Sequence, residues 1–499
     1  MNNKYFYITT PIYYVNDKPH IGHFYTTLAC DVMARFKRLS DHQTFFLTGT
    51  DEHGQKIEKS ARNRNITPEE LTDNFSRSFL ELVNDANNTQ NINKNLGNFS
   101  NDDFIRTTET RHKIAATALW NKLLDENYIY LDKYSGWYCI RDEAYYQESE
   151  LIDGKAPTGA DVEWVDFIYP NTRYNEVVNF VKSGLKDLSI SRTTFNWGIK
   201  VPGNDTHVIY VWLDALTNYL TAIDYPNINS DKFKNYWPAT HIVGKDILRF
   251  HAIYWPAFLM AANLPLPKKI IAHGWWTNEG QKISKSLGNV IDPIELINEF
   301  GLDQIRYFLL KEVPFGNDGN FSRENLISRV NADLANNIGN LAQRCLKMIH
   351  KNCAAKIPEF DLQPEDKELL NHVHNAELIN NINKLIDDCR FNLILDEIIN
   401  IATKTNEYID LHAPWQLRKT DIKRMQTVLY CVCEMIRCIA ILLQPFIPIS
   451  ARKLLELVGY NKENFPKYIS FNYLNSEHSL KTGDILPAPE AIFPRINDK

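Results

Sequence analysis

The 499-residue sequence predicts an α/β domain on a parallel sheet, divided by a small inserted domain and followed by an all-α helical bundle. Short apolar strands alternate with helical stretches up to about residue 117 and again from residue 175 to 272, which is typical of strand–helix–strand units. Tyrosine-rich sequence with glycines separates these halves and favours short strands. From residue 329 to 457 the pattern is almost wholly helical, with breaks at prolines.

The composition indicates a globular protein of several domains, because 44% of the residues are hydrophobic. The net charge of −6 excludes a surface coated in positive charge but permits a local basic patch that binds nucleic acid. The eight cysteines form no Cys-x-x-Cys pair, so we expect a reducing environment and no disulfide framework. The chain starts directly in a strand without a signal peptide, and we expect a cytoplasmic protein.

The most apolar run of the sequence covers residues 427–449 and contains Glu434, Arg437, Pro445 and Pro448. Charged residues and prolines within such a run favour a buried helix of a bundle over a membrane span. We therefore expect no membrane contact.

Residues 5–23 form the first strand–loop–helix unit of the predicted sheet. An aromatic and β-branched strand runs into a loop with prolines, and a helix begins near His20 and extends to Lys37. A helix that begins just after a strand offers its amides and dipole to an anion, and His20 and His23 share one face of its first turn. Gly22 between them lets a flat base or ribose approach the backbone. The alternative is a pair of helix-capping histidines on the surface.

A second strand over residues 44–54 completes a strand–helix–strand unit, which places Asp51 and His20 at the same edge of the sheet. The alternative role for Asp51 is the N-cap of a helix from Glu52 onward. Further on, Thr67, Pro68 and Glu70 predict a helix start with a capping box.

Two later segments predict further strand-to-helix turns of the sheet. Residues 207–219 place Trp212, Ala215, Leu216 and Tyr219 on one helix face, and residues 241–251 begin a helix with Ile247, His251 and Trp255 at i, i+4 and i+8. Ordinary core packing is the alternative for both faces. Between the inserted domain and these segments we expect a helix over residues 175–182 and a strand over residues 195–202.

The last predicted strand of the sheet, residues 270–277, is followed by a loop with Lys282 and Lys285. Glycine and serine make this loop mobile, and its lysines can reach phosphates as it closes. A solvated surface hairpin is the alternative. A helix then starts at Asp292 and ends at Gly301.

Within the predicted bundle, Asn340 and Arg344 lie one turn apart, and Pro414–Trp415 opens a segment with basic residues at 418, 419, 423 and 424. A tryptophan beside basic side chains suits stacking on an unpaired base. The alternative is a tryptophan packed between two helices. The sequence after Pro466 lacks periodicity, and we expect it to wrap back on the body.

Two motifs, His-Ile-Gly-His at 20–23 and Lys-Ile-Ser-Lys-Ser at 282–286, resemble in order and spacing the paired signatures of class I aminoacyl-tRNA synthetases. Sequence between and beyond them resembles the methionyl-tRNA synthetase family, from Tyr5 to about Leu457. These stretches are Thr-Thr-Pro-Ile-Tyr-Tyr-Val-Asn at 9–16, Thr-Gly-Thr-Asp-Glu-His-Gly at 48–54, Tyr-Val-Trp-Leu-Asp-Ala-Leu-Thr-Asn-Tyr at 210–219, Gly-Lys-Asp-Ile at 244–247 and Ala-Pro-Trp at 413–415.

The resemblance implies a Rossmann-type catalytic domain that condenses L-methionine and ATP, with Mg2+, to methionyl-adenylate. It also implies transfer of the methionyl group to the 3′ end of tRNA(Met), including initiator tRNA. The implied catalytic residues are His20, His23, Lys282 and Lys285, which with Gly22 bind ATP. Arg192 resembles an active-site arginine of the family. The implied methionine pocket comprises Ile12, Tyr14, Asp51, Trp212, Ala215, Leu216, Tyr219, Ile247, His251 and Trp255. Asn340, Arg344 and Trp415 match the positions that read the CAU anticodon.

Three departures from the family pattern carry expectations of their own. The inserted domain has one cysteine, Cys139, and residues 155–159 have none, so we expect no structural zinc and no bound metal besides that of ATP. The chain is shorter than the family usually is between residues 165 and 169, and Ile283 replaces the usual methionine. The sequence lacks an appended tRNA-binding domain, which favours a monomer.

We expect six regions along the chain. They are the first half of the catalytic domain at 1–117, the inserted domain at 118–174, the second half at 175–272, the lysine-loop and stem-contact region at 273–328, the anticodon-binding bundle at 329–465 and the C-terminal tail at 466–499.

Two other functions remain open on the sequence alone. One is a sister synthetase for another apolar amino acid, because a single methylene separates such substrates by only about 1–3 kcal/mol. The other is a non-catalytic tRNA-binding protein that kept the fold, against which the intact histidines and lysines argue.

Overall fold

The computed structural model describes residues 4–15, 17–84, 94–131, 137–139, 144–146, 168–182, 184–185, 187–283, 288–460 and 469–497. The chain divides into two compact units. The first comprises Met1–Asp31 and Thr44–Trp275, and the second comprises Val32–Gln43 and Trp276–Lys499.

The first unit is built on a seven-stranded sheet, which confirms the predicted parallel α/β architecture. Its strand order is β2-β3-β1-β11-β12-β7, with β4 paired to β3, and the pairs β1–β11, β2–β3, β3–β4, β11–β12 and β12–β7 are parallel. The sheet strands are β1 Lys4–Thr9, β2 Tyr13–Tyr14, β3 His42–Asp51, β4 Asp103–Arg106, β7 Ile168–Tyr169, β11 Thr240–Gly244 and β12 Lys269–His273.

Smaller sheets accompany this one. The antiparallel pair β5–β6 lies in the predicted inserted domain, most of which falls outside the described residues, and β8, β10 and β9 form a three-stranded sheet. The strands are β5 Trp137–Cys139, β6 Ala144–Tyr146, β8 Ser191–Arg192, β9 Lys200–Val201 and β10 Asn204–Ile209.

Helices connect the strands of the first unit, and α1 continues into residues of the second. They are α1 Ile21–Leu39, α2 Gln55–Asn63, α3 Pro68–Leu82, α4 Thr110–Asp125, α5 Asn171–Lys182, α6 Val211–Leu216, α7 Asn218–Thr221, α8 Asp231–Tyr236 and α9 Trp255–Ala261. A 3₁₀ turn Lys245–Ile247 and a π-helical segment Phe250–Tyr254 precede α9.

The predicted start of α3 is confirmed in detail. Thr67 Oγ1 accepts a hydrogen bond from the Glu70 amide at 3.1 Å, and the Thr67 amide donates to Glu70 Oε2 at 2.8 Å. Two of the amides that a helix start leaves unpaired are satisfied in this way. The carboxylate gains the same bonds, which lower the pKa of Glu70.

Three local predictions are wrong. The single strand expected over residues 270–277 is two strands, because Lys269–His273 belongs to the seven-stranded sheet and Trp276–Asn278 to a smaller sheet. The strand expected over residues 195–202 is reduced to Lys200–Val201, because the amides of Asn196 and Trp197 donate to Glu58 Oε2 instead of to a neighbouring strand. The regular helix expected after residue 244 is a 3₁₀ turn followed by a π-helical segment, so the α-helical spacing of Ile247, His251 and Trp255 does not apply.

The second unit combines a small sheet with the predicted helical bundle. The sheet order is β14-β13-β15, from β13 Trp276–Asn278, β14 Gln281–Lys282 and β15 Gly319–Phe321. The helices are α10 Pro293–Phe300, α11 Leu302–Lys311, α12 Arg323–Val330, α13 Asn340–Asn352, α14 Pro364–His374, α15 Ala376–Asp387, α16 Phe391–His412, α17 Pro414–Leu417, α18 Ile422–Leu443 and α19 Pro448–Leu457. A π-helical segment Asn331–Gly339 joins α12 to α13, and two 3₁₀ turns, Phe471–Tyr473 and Ser476–His478, lie in the tail.

Local chemistry sets the ends of several bundle elements. Asp292 caps α10 through Ile294 N at 2.8 Å, and Gly301 ends that helix with a φ of 93°, a left-handed conformation that glycine adopts without strain. Pro364 and Pro414 each open a helix at the position where a missing amide costs nothing. The tail packs back on its own unit, as expected, since Leu486 N donates to Ala355 O and Ile357 N donates to Asp484 O.

Helix α18 is the one helix of the described chain that is long and apolar enough to cross a membrane. Within its most apolar window 94% of the residues are buried. Its buried charges are also paired, because Arg437 donates to Glu434 through Nε at 2.9 Å and through Nη2 at 2.5 Å. The helix is therefore a core helix of the bundle, as the charges within the run predicted.

Candidate functional site

The first turn of α1 fixes the tautomers of two imidazoles. The Gly22 amide donates to His20 Nδ1 at 3.0 Å, and the His20 amide donates to His23 Nδ1 at 3.2 Å. An imidazole nitrogen that accepts a hydrogen bond carries no proton, so in the neutral rings the proton lies on Nε2. The rings stack with centroids 3.8 Å apart. Both histidines thus accept backbone amides at the helix start, as the capping alternative expected, and the phosphate-binding role stays a prediction.

The His20 ring lies close to the backbone of Gly22. A Cβ at Gly22 would lie 2.9 Å from His20 Cε1 and 3.1 Å from His20 Nδ1. Any other residue would push the ring aside and break its hydrogen bond to the backbone. The sequence suggested a close approach by a ligand, and the structure shows that the neighbouring histidine already makes such an approach.

The carboxyl ends of β2 and β3 bring Tyr14 and Asp51 side by side, because these two residues are register partners in the parallel pair. Asp51 is 8% exposed. Helix α2 has Gly54 as its N-cap, so Asp51 is not the helix cap that the sequence left open. The prediction that Asp51 follows the second strand at this edge of the sheet is confirmed.

An aromatic cluster lies beside this edge in the same unit. Tyr219 and His251 are hydrogen-bonded through the phenol oxygen and Nε2 at 2.7 Å, and Trp212 stacks on Phe250 with ring centroids 3.8 Å apart. Leu216 and Trp255 are buried in the same hydrophobic cluster as Tyr219, and Ile12 and Trp212 pack against it. The structure therefore gathers most of the predicted pocket residues.

The hydrogen bonds of His251 define which partner donates. His251 Nδ1 lies 3.0 Å from Ile247 O, a group that can only accept, so Nδ1 carries the proton. Nε2 is then the acceptor and the Tyr219 hydroxyl donates to it. Ile247 takes part through its backbone oxygen, while its side chain packs against a second cluster around Val243 and Ile270.

Several buried polar atoms of this region have no hydrogen-bond partner among the residues that the structure describes. They are Trp212 Nε1, Asn218 Oδ1, His241 Nε2 and Trp255 Nε1. Buried polar groups are nearly always paired in folded proteins. A cluster of such exceptions is typical of a site that a polar ligand or water completes.

The remaining catalytic candidates are Lys282, Lys285 and Arg192. Lys282 belongs to β14, which forms a hairpin with β13 through the pair Thr277 and Lys282, and the segment with Lys285 and Ser286 lies outside the described residues. Arg192 is 6% exposed and donates through Nη1 to Ser189 O at 2.7 Å and to its own neighbour Ser191 O at 2.8 Å. Its guanidinium also lies 4.4 Å from the centroid of the Tyr210 ring.

In the second unit, the three candidate RNA-binding residues fall into one surface region. The Arg344 guanidinium lies 5.1 Å from the centroid of the half-buried Trp415 ring, and Arg344 Nη2 bonds Asp410 at 2.5 Å. Asn340 is exposed one turn before Arg344 on α13. Trp415 is the second residue of the short helix α17, directly after Pro414.

Comparisons with known proteins decide the family. The family model described as "tRNA synthetases class I (M)" matches residues 6–163 and 162–346, and the model described as "Anticodon binding domain of methionyl tRNA ligase" matches residues 358–499. The chain belongs to the methionyl-tRNA synthetase family.

Relatives and solved structures of this family agree over the full chain. The methionine–tRNA ligase of Rickettsia felis is 53% identical over 529 aligned residues, which cover 99% of each chain. That of Mesorhizobium japonicum is 47% identical, and the alignment covers 99% of this chain and 98% of the relative. The methionyl-tRNA synthetase of Mycobacterium tuberculosis in complex with methionyl-adenylate is 42% identical, with a TM-score of 0.90 over 99% of this chain and 100% of that chain. The apo form of the same enzyme is 39% identical, with a TM-score of 0.84, and the match covers 100% of this chain and 99% of that chain.

The predicted family, fold class and enzyme class are thus confirmed. The chain is a class I aminoacyl-tRNA ligase of the methionyl-tRNA synthetase family, with an α/β catalytic domain and a helical anticodon-binding domain. The non-catalytic alternative and the sister-synthetase alternative, both left open by the sequence, lose their support.

Residues that the sequence analysis did not single out also belong to this site. The ring of His241 lies against that of Tyr219, with centroids 4.2 Å apart and planes tilted by 35°, and its Nδ1 is hydrogen-bonded to Thr9 Oγ1 at 2.8 Å. The only feature of the sequence that could have pointed to His241 is its position as a polar residue inside an apolar strand. Phe250, which stacks on Trp212, gives no signal that separates it from core aromatics.

A buried charge network holds the loop after Asp51 against α6. Asp214 accepts from His53 Nδ1 at 2.7 Å and from His112 Nε2 at 2.8 Å, and all three side chains are buried. Burial alone would raise the pKa of Asp214, but the two histidines lower it to about 2. This carboxylate therefore stays ionised and ties together the segments that carry Asp51 and Trp212.

Acid should destabilise this family member through its buried histidines. Burial lowers the pKa of His251 from 6.5 to about 4, only partly offset by the bond to Ile247 O, and burial also lowers the pKa of His241 and of His273. Between pH 6.5 and 4 the unfolded chain binds more protons than the folded chain at these positions, so stability falls as the pH falls through this window. Thermal unfolding can be measured at several pH values from 7 to 4.5. At pH 7 a His251→Gln variant should have a lower Tm than the wild type, and its Tm should fall less as the pH is lowered. A constant difference between the two proteins would contradict the buried, neutral state of His251.

Proposed function

We propose that this chain activates L-methionine with ATP and Mg2+ to methionyl-adenylate and pyrophosphate, and then transfers the methionyl group to the 3′ end of tRNA(Met), both initiator and elongator. The observation that carries the proposal is that one α/β unit holds Asp51 at the end of a sheet strand, the aromatic cluster around Tyr219 and Trp212, and the first turn of α1 with its two histidines. The full-length likeness to methionine–tRNA ligases supports it.

The proposed chemistry is an in-line attack of the methionine carboxylate on the α-phosphate of ATP. It needs little covalent work from the protein, so rate enhancement comes from positioning and from stabilising charge on the phosphates. His20 and His23 would donate through Nε2 to phosphate oxygens, supported by the amides and dipole of the α1 start. We assign Lys282 and Lys285 to the leaving pyrophosphate on the strength of their motif.

The proposed methionine site has one charged and one apolar side. Asp51 would bind the ammonium group, and the cluster of Trp212, Leu216, Tyr219 and Trp255 would surround the polarizable thioether. Ile12, Tyr14, Ala215, Ile247 and His251 complete the proposed set. Because the Tyr219 hydroxyl donates to His251, its oxygen presents lone pairs rather than a proton to the pocket, so the wall disfavours polar acceptors on the substrate side chain.

Replacing Lys285 by alanine should lower the rate of methionine-dependent pyrophosphate exchange by about a hundredfold, the usual loss when one transition-state contact is removed. The methionine Michaelis constant should change little, because the lysine contacts the leaving group. Lys268→Ala, which removes an exposed lysine outside the motif, is the matched control. An unchanged exchange rate in Lys285→Ala would remove this lysine from the mechanism.

Replacing Trp415 by alanine should raise the Michaelis constant for tRNA(Met) by about 10- to 100-fold while methionine-dependent pyrophosphate exchange stays at the wild-type rate. Stacking of an unpaired base on an aromatic side chain contributes about 1–3 kcal/mol, which sets this range. Phe360→Ala removes another exposed aromatic of the same unit, stacked on Tyr430, and serves as the control. A parallel loss of exchange would instead make Trp415 a structural residue.

Charging of tRNA tests the transfer half of the proposal. Transcripts with a CAU anticodon should accept methionine. The same transcripts with a changed anticodon should no longer be charged, because the proposed contacts of Asn340, Arg344 and Trp415 with the anticodon are lost. We further propose that the chain is a cytoplasmic monomer with the six regions predicted from the sequence. We also propose that it contains no structural zinc, and stoichiometric zinc in purified protein would contradict this.

A further inference from the structure

A cleft of about 460 Å³ lies beside Asn340 in the second unit. One wall is the helical surface formed by Asn336, Gly339, Asn340 and Gln343, and the other wall is the tail segment 491–495. Ligand pockets of proteins usually measure about 300–1,000 Å³, so this cleft suits one small group rather than a duplex.

The tail wall is fixed in place by specific contacts. Asn331 pairs with the backbone of Ile496 in both directions, with Nδ2 donating to the Ile496 oxygen and Oδ1 accepting from the Ile496 amide, each at 2.8 Å. Phe493 is 5% exposed, and its Cβ would lie 3.4 Å from a Cβ added at Gly339. The tail therefore docks closely where the helix has no side chain, and the cleft is a defined part of the fold.

The helical wall presents side-chain amide groups without a hydrogen-bond partner in the part of the second unit that the structure describes. Asn336 and Asn340 are exposed and Gln343 is half-buried, and none of the three side chains hydrogen-bonds to a residue within 288–460 or 469–497. All three line the cleft, and Asn340 and Gln343 lie one turn apart on α13. Carboxamides match the donor and acceptor pattern of nucleobase edges. The π-helical segment Asn331–Gly339 carries Asn336, and π-helical turns are rare and often mark functional sites.

The opposite rim carries a cation. Arg495 is exposed, lines the cleft and forms no ion pair with any part of the chain that the structure describes. The protein as a whole is acidic, with a net charge of −6, so an arginine without an ion-pair partner at the mouth of an amide-lined cleft, among the described residues, is a local positive site. A guanidinium beside amides suits a phosphate joined to a base.

We propose that this cleft binds one unpaired nucleotide of the tRNA next to the anticodon, with its base against Asn336 and Gln343 and its phosphate near Arg495. The inference rests on the proposed recognition of tRNA by Asn340, Arg344 and Trp415. Asn340 lines the cleft and also precedes Arg344 by one turn, so the anticodon surface and the cleft are continuous. The tail thereby becomes part of the tRNA-binding surface.

The experiment measures the dissociation constant of a methionine tRNA transcript by filter binding over a range of KCl concentrations, with the full-length protein. The double variant Asn336→Ala/Gln343→Ala should bind about five- to tenfold more weakly at every salt concentration, the loss expected for one or two hydrogen bonds. Arg495→Gln should reduce the slope of log Kd against log salt by about 0.7 to 1, as expected for one lost phosphate contact, and Arg495→Lys should restore it.

Two controls separate a site from general effects. Lys481→Gln removes an exposed cation of the tail outside the cleft and should leave the slope unchanged. A transcript that is abasic at one nucleotide flanking the anticodon should bind the wild type more weakly, and the double variant should show no further loss with it, because coupled partners are not additive.

Trp415→Ala, measured in parallel, distinguishes the failure of this inference from the failure of the proposed function. If Trp415→Ala binds the transcript normally, the anticodon assignment itself is wrong. If Trp415→Ala binds weakly while the double variant and Arg495→Gln bind as the wild type, only the cleft is excluded. An equal reduction of the salt slope in Lys481→Gln and Arg495→Gln would also overturn the proposed binding site, since the effect of Arg495 would then be general electrostatics.

Discussion

Replacing His23 by alanine should lower the rate of methionine-dependent pyrophosphate exchange by about a thousandfold, with a much smaller change in the Michaelis constants for methionine and ATP. The His20 amide donates to His23 Nδ1, so the neutral ring carries its proton on Nε2 at the helix start, where the proposed chemistry develops negative charge on the phosphates. Loss of one such preorganised donor costs about 100- to 1,000-fold. Loss of the ring also removes the partner on which His20 stacks, so we expect a rate loss at the upper end of this 100- to 1,000-fold range.

Two substitutions at the same position separate the donor from the ring. His23→Gln keeps an N–H near the position of Nε2 and should retain more activity than His23→Ala. His23→Asn keeps only a group near Nδ1, the acceptor for the His20 amide, and should behave like alanine. Equal activity in the glutamine and asparagine variants would contradict the assignment of the proton to Nε2.

Replacing Asp51 by asparagine should raise the Michaelis constant for methionine by about a thousandfold. The side chain keeps its shape but loses the charge proposed to bind the substrate ammonium, and truncating a buried charge pair costs about 2–5 kcal/mol. Initial rates of pyrophosphate exchange over a wide range of methionine concentrations would measure the change, because saturation should then require far higher concentrations.

A matched carboxylate makes this result specific. Asp205→Asn neutralises an exposed aspartate in the same unit and should leave the methionine Michaelis constant as in the wild type. The Michaelis constant for ATP should be unaffected in Asp51→Asn. A loss confined to ATP, or no loss at all, would remove Asp51 from the amino-acid site.

Local sequence chemistry predicted the elements whose ends depend on neighbouring residues. The capping box of Thr67 and Glu70, the cap at Asp292 and the left-handed Gly301 were all predictable, because the groups that satisfy the helix ends lie within a few residues. The parallel sheet followed from the alternation of strands and helices, and the bundle from its apolar periodicity.

Long-range contacts decided what the sequence could not predict. The expected strand over residues 195–202 is shortened because Glu58, far away in the chain, satisfies two of its amides. The π-helical segment Phe250–Tyr254 was missed because a segment with buried aromatics on several sides has no clear period. His241 was missed because its partners Thr9 and Tyr219 come from other elements.

Some features of the candidate site could likewise be predicted from local sequence, and others depend on long-range contacts. The histidines of α1 and the position of Asp51 at a strand end follow from chain order, and the structure confirms those local placements. The tautomers of His20 and His23, the donor direction between Tyr219 and His251, and the network around Asp214 depend on geometry that no spacing encodes. The tail wall of the cleft beside Asn340 likewise appears only when residues 491–495 are seen against the helix.

Amino-acid-dependent pyrophosphate exchange, run with ATP and Mg2+ against a panel of all the standard amino acids, tests the central claim most directly. We predict that methionine supports exchange with a kcat/KM at least about a hundredfold above leucine, isoleucine and valine, as expected when a pocket adds polar discrimination to the limited selectivity of one methylene. Higher efficiency with another amino acid, or no exchange with any, would contradict the assignment of this chain as a methionine-activating enzyme.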